Sequence, residues 1–307
     1  MRIRKTILLV TGALFLLGAC QSKSPKNQET DFEIPDSLVS ESYASLQNEA
    51  MEGIIENLAS PVEVSMMLHN LNVPFLDRMP TNTKNVEDLN TNFQKSLMLG
   101  ILSADLGYLN IYEKNTPIID YISSIKFLTD ELKVGQFYDF STLKRLSENK
   151  HELDSLMFIS VHSFNKMNSF LEKTKRGHIS TLVMTGLWVE GMYLATQVIK
   201  DYPHQEISES IGEQKLIIED LFSVLNVYKG IPGFGPLVNE LEQLKTLLNE
   251  VEITYETGEP ETVEDENGML VIVQNEKSIV RITEKQLNQI TSKTAEIRNQ
   301  LLNFKSD

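Results

Sequence analysis

The sequence of 307 residues contains one cysteine, Cys20, and one tryptophan, Trp188. A single thiol leaves no intrachain disulfide and no thiolate metal cluster, so the fold is held by its core. Histidines are few: His69, His151, His162, His178 and His204. None of them makes a His-x3-His or His-Glu-x-x-His spacing, so no metal ligands are expected, and no cofactor either. His162, beside Phe158 and Asn165, reads as a hydrogen-bonded core histidine. Positive charge is also scarce, with 28 Lys and Arg against 43 Asp and Glu and a net charge of −15. Such a field repels phosphate backbones and excludes nucleic acid as the expected partner. Nucleophile elbows, phosphate loops and dinucleotide fingerprints are missing. "GIPGFG" at 230–235 has no strand before it and no lysine after it, so it reads as a helix–helix turn. With 41% hydrophobic residues the chain has ample material for a large core.

The N-terminus is organised. Arg2, Arg4 and Lys5 precede Ile7 to Ala19, a mostly apolar run of 13 residues. Spanning a bilayer takes about 20 apolar residues, so this run has the proportions of a secretory signal peptide instead. It ends in Leu17-Gly18-Ala19-Cys20. That spelling resembles the lipobox of bacterial lipoproteins. The resemblance covers about the first 20 residues. It implies signal-peptidase recognition through Leu17, Gly18 and Ala19, cleavage before Cys20, and diacylglyceryl and acyl chains on Cys20. Two or three chains, at about 0.8 kcal/mol per buried methylene, hold a protein on a membrane where one chain holds it only marginally. Gln21 stands where an aspartate would mark inner-membrane retention in that family. The expected location is therefore the outer membrane, facing the periplasm. Removing residues 1–19 also removes Arg2, Arg4 and Lys5 and no acid, which moves the net charge from −15 to −18.

Residues 20–35 read as the lipidated cysteine and a flexible tether of roughly 20 Å. Residues 36–254 read as a helical domain. Asp36 or Ser37 caps a first helix to about Ala59, and Ser60, Pro61 and Glu63 spell the start of a second that stops before Pro74. The apolar period then predicts one long helix over 86–114, another from Thr116-Pro117 to near Gly135, and a short one around 141–148. Further helices are expected over 151–174, 179–201, 205–229 and 234–254. Residues 255–307 read as an acidic loop (255–268), a β-hairpin within 269–282 and a C-terminal helix over 283–302. That helix has Leu287, Ile290, Ala295, Ile297 and Leu301 as its apolar positions. The expected fold is all-α: an antiparallel bundle of about 8–10 helices, with a small β-hairpin before the C-terminal helix. An α-solenoid-like array is the alternative.

Two acids stand out. Asp105 lies within the small-residue stripe Gly100, Ala104 and Gly107 and has Tyr108 and Tyr112 at helical spacing. Glu190 lies on a helix apolar nearly all round, with Trp188 and Tyr193 close by. A buried unpaired carboxylate is costly, so each acid must be neutral, paired or open to a pocket. If Asp105 and Glu190 converge with Tyr108, Tyr112 and Trp188, they form an aromatic-walled acidic cavity suited to a cationic or sugar-like ligand. Satisfied acids between helices are the plainer reading. Gly177-His178 resembles the Gly-x-His element of imelysin-like helical lipoproteins, but Thr181 stands where that element has its acid. The family's site is therefore not carried over.

The functional expectation is a non-enzymatic, membrane-anchored helical domain that binds or supports an envelope protein or small ligand. It resembles the many helical lipoproteins of Gram-negative bacteria without an assigned activity. One alternative is a ligand-binding or sensing bundle using Asp105, Tyr108, Tyr112, Trp188, Glu190 and Tyr193. A second is a carboxylate-dependent hydrolase, which needs its two acids within roughly 5–10 Å of each other.

Overall fold

A computed structural model describes residues 61–147, 153–258, 261–264, 270–273 and 276–303. The expected signal peptide, Cys20, the tether, the helix over 36–59 and the cap at Ser60 lie outside the described residues. The described residues belong to one compact unit.

Nine α-helices are found among the described residues: α1 (Pro61–Asn70), α2 (Asn92–Ile111), α3 (Asn115–Glu131), α4 (Phe140–Ser147), α5 (Leu153–Lys173), α6 (Gly177–Asp201), α7 (Gln205–Val227), α8 (Phe234–Asn249) and α9 (Glu284–Leu302). The long helix expected over 86–114 is divided. Val86–Asp88 is a single 3-10 turn, and α2 starts afresh after Thr91. The cause is a capping box: the Thr91 hydroxyl accepts from the Gln94 N–H, and the Gln94 side chain accepts from the Thr91 N–H. Two backbone donors find partners there that a continuous helix would give them differently. The helix expected over 234–254 ends at Asn249 because the chain turns into a strand. At the break before it, Gly233 has φ +89 and packs on the Phe93 ring, a backbone state that favours glycine.

The C-terminal strands differ from the expected hairpin. β1 (Glu252–Thr257) pairs antiparallel with β4 (Glu276–Arg281), and β2 (Glu261–Glu264) with β3 (Leu270–Val273). The two β-branched runs of 269–282 therefore do not pair with each other. Each pairs with part of the segment expected to be an acidic loop. The β-branched and aromatic residues Ile253, Thr254, Tyr255, Thr262 and Val263 suit a pleated strand, and they outweigh the glutamates between them.

Helices α2 and α6 form the centre. A Cβ on Gly100 would lie 2.0 Å from the Val183 carbonyl oxygen, and one on Gly186 would lie 2.1 Å from that of Leu97. The two backbones touch at Gly100 and Gly186, so Gly100 of the small-residue stripe serves packing. Helix α6 has the length and hydropathy of a membrane span, yet 83% of its most apolar stretch is buried inside the protein. It is the core helix. Around this pair, α3 packs on α2, α1 on both, and α5 and α7 on α6; α8 packs on α7, and α9 returns to touch α2, α6 and α8. That return closes the fold as a bundle, where a solenoid would leave its last helix with only its neighbour. Val280 of β4 packs against Gly212 of α7, which ties the ribbon to the body.

Candidate functional site

The segment between α1 and α2 is irregular apart from the 3-10 turn, and its residues 73–91 lie across the bundle as a strap. Between Val73 and Thr81 the helices beneath supply most of the partners for its backbone. Tyr108 of α2 accepts from the Leu76 N–H at 3.0 Å. The Tyr112 hydroxyl donates to the Val73 carbonyl at 2.9 Å. The Thr81 N–H donates to Asp105 Oδ2 at 2.7 Å, and the Tyr121 hydroxyl of α3 donates to the Thr81 carbonyl. Arg298 of α9 donates to Thr81 Oγ1 at 2.6 Å and to the Met79 carbonyl at 3.3 Å.

The same arginine meets Glu190. Its Nε and Nη2 donate to the two carboxylate oxygens at 3.0 Å each, a two-pronged pair with both charges in place. The guanidinium also lies over the Tyr193 ring, 4.3 Å from its centroid. Asp105 and Glu190 are 0% exposed and Arg298 is 8% exposed.

Asp105 Oδ1 is buried and receives no N–H or O–H from another residue. The Glu190 carboxylate is its charged neighbour. Two buried carboxyl groups with a single cation between them are favoured with one of the two protonated. Glu190 has Arg298 across both oxygens, so the proton belongs to Asp105. Burial, and then the neighbouring Glu190 charge, push the Asp105 carboxyl well above the usual range. Burial also raises Glu190, against the opposing pull of Arg298. Arg298 is held above its ordinary value: burial alone would lower it, but Glu190 outweighs that. The result is a closed set of one proton, two carboxyl groups and one guanidinium. As arranged, it can hold elements together. It presents no free base to solvent.

The structure thus brings Asp105 and Glu190 together, with Tyr108 beside the acid and Tyr193 on the arginine. Tyr112 is one step removed. Its ring packs against Tyr108 at 4.8 Å and against Phe75 and His69, and burial raises its hydroxyl. Trp188 does not join them. Two residues from Glu190, it points to another side of α6, and its Nε1 donates to Gln214 of α7 at 2.9 Å. The expected aromatic wall is therefore incomplete, and the space it would enclose is filled by Arg298 and Thr81.

Arg298, Thr81 and Tyr121 were not among the sequence candidates. Arg298 had a readable signal. Ile290, Thr291, Thr294, Ile297, Arg298 and Leu301 are buried on α9 at spacings of one helical face, so a lone cation lay on an inward stripe. Thr81 had none, because an irregular segment has no period. His162, expected in the core, is exposed on α5. Gly177 is the point of closest approach for two other groups: a Cβ there would meet Glu172 Oε1 at 2.1 Å and the Tyr228 hydroxyl at 2.5 Å. No group of three or more His, Cys, Asp or Glu able to hold a metal occurs among the described residues. An open groove of about 750 Å³ runs along the outer side of α9, lined by Leu247 with Lys285, Asn288, Gln289, Ser292 and Lys293. It shares no residue with the buried cluster.

Fold and site define a helical-bundle domain fastened by a buried ion-pair cluster. Comparison of the chain with known protein families, with curated proteins and with solved structures finds no match.

Proposed function

We propose that this protein is a lipid-anchored component of the bacterial cell envelope, held at the outer membrane facing the periplasm through acylated Cys20, and that its helical domain binds or supports another envelope component without catalysing a reaction. The anchor rests on Leu17-Gly18-Ala19-Cys20 after a basic and an apolar stretch. The observation that carries the non-enzymatic role is the state of Asp105 and Glu190. Carboxyl groups that work on a substrate must reach it, and these two are 0% exposed, with Glu190 held by Arg298 and Asp105 by the Thr81 N–H. The same observation weighs against a hydrolase and against a ligand pocket built on these acids.

Incorporation of labelled palmitate into the full chain, followed by membrane fractionation, tests the anchor. The wild type should carry label and sediment with the outer membrane, and Cys20→Ala should lose both. A Cys20→Ala protein that stays membrane-bound would sink the anchor. For the role, cross-linking in intact cells from exposed positions such as Lys285 should give an adduct with a discrete envelope component. A small molecule that raises the thermal midpoint of the wild type but not of Glu190→Gln would instead favour the ligand-binding alternative.

A further inference from the structure

We infer that residues 73–91 form a strap closed over a buried proton: the strap is fastened while Asp105 is protonated against Glu190, and loss of that proton opens it.

The geometry has three parts. First, the part of the strap that touches the cluster, Met79 to Thr81, is not helical. Between Val73 and Thr81 its own backbone supplies the turn bond from the Met79 N–H to the Leu76 carbonyl; the Val73 N–H donates to the Leu68 carbonyl of α1, Arg78 pairs with Asp201 of α6, and the other ties end on Tyr108, Tyr112, Asp105, Tyr121 and Arg298. Second, Met79 and Thr81 are 1% and 7% exposed, so lifting this segment admits water to the acids. Third, the helices beneath cannot part cheaply, because α2 and α6 touch backbone to backbone at Gly100 and Gly186. Segments held by few bonds of their own open before packed helices do.

The charged and titratable groups around Asp105 are few. Glu190 and Tyr193 come from α6, Arg298 from α9, Tyr121 from α3 and Tyr108 from α2 itself, while Arg78 of the strap acts on Tyr108. One guanidinium therefore balances one carboxylate. A second ionised carboxyl would leave a net negative charge in a site without water, which is costly. Water entering under the strap relieves that cost.

The sign follows from linkage. The closed form holds the Asp105 carboxyl well above its ordinary value of 3.8, and the open, hydrated form returns it toward that value. Opening thus releases one proton in the window between the two values. In that window the opening equilibrium rises about tenfold per pH unit, and above it the rise levels off. Stability from this group is greatest at the acid end and is lost as the pH climbs.

Amide hydrogen exchange on the full chain across pH 5–9, corrected for base-catalysed chemical exchange, tests the strap. Wild-type Thr81 and Leu76 N–H groups should gain up to about tenfold per pH unit, while the Leu99 N–H in the centre of α2 should stay flat. Asp105→Asn, which keeps a neutral donor beside Glu190, should flatten the Thr81 profile. A flat wild-type profile at Thr81, or an Asp105→Asn profile as steep as the wild type, would overturn the proposal. Should Asp105→Asn fail to fold, the wild-type slope at Thr81 against Leu99 decides by itself.

Discussion

The α7–α8 pair and the junction of α2, α6 and α9 are both closed to water, by different chemistry. Helices α7 and α8 pack together, and Leu221, Phe222 and Leu225 of the one and Leu237, Leu241 and Leu244 of the other are all buried in one apolar cluster. Their polar partners stay at the rim: Lys245 pairs with Glu219 at 2.9 Å and covers the Phe222 ring at 4.6 Å. At the junction, Arg298, Glu190, Asp105 and Thr81 replace what would otherwise be leucines. Apolar packing is non-directional and accepts any shape of the right volume. A buried ion pair accepts only its own partners, and breaking it leaves an uncompensated charge. The first region therefore supplies stability. The second decides which segments meet, namely the strap, the central pair and the C-terminal helix.

Substitutions should separate the two regions. Arg298→Met should have the largest effect, a loss of about 3–5 kcal/mol in urea unfolding, because the Glu190 carboxylate would stay buried without its cation. Adding Glu190→Gln to Arg298→Met should return part of that loss. If the double variant is as unstable as the two single losses summed, the pair is not coupled and the comparison fails. In the apolar region, Leu241→Ala should cost about 2–4 kcal/mol through its cavity. Leu241→Met should cost less than about 1.5 kcal/mol. Arg298→Lys, equally conservative on paper, should cost more than Leu241→Met, because an ammonium cannot bridge both Glu190 oxygens and reach Thr81. Equal midpoints for those two variants would remove the distinction. Tyr112→Phe should cost about 1 kcal/mol by releasing the Val73 carbonyl, and limited proteolysis should cut the strap sooner. The smallest effect belongs to the surface: Lys126→Ala breaks a half-exposed pair with Asp130 and should change stability by less than about 0.5 kcal/mol.

Much of the fold was legible because helices carry a period. The central place of α6 followed from apolar residues on every face, and the anomaly of Glu190 followed from that place. Asp105 stood out for its small and aromatic neighbours. The break at Thr91 was written as Thr-x-x-Gln but lay inside an unbroken apolar period, which masked it. The strand character of 252–264 was masked by its glutamates, since charge says where a face points more than which backbone state it takes.

Sequence alone determined the helical class, the position of the core helix and the two acids that needed an explanation. These are local or periodic properties, set by side-chain size, branching and spacing along one segment. Tertiary structure alone decided that Asp105 and Glu190 meet, that Arg298 answers them from 108 residues beyond Glu190, and that Trp188 turns away to Gln214. Those outcomes depend on which helices touch and at what rotation. Many sums of small packing terms across the chain fix that choice, and none of them is written in any one stretch of it.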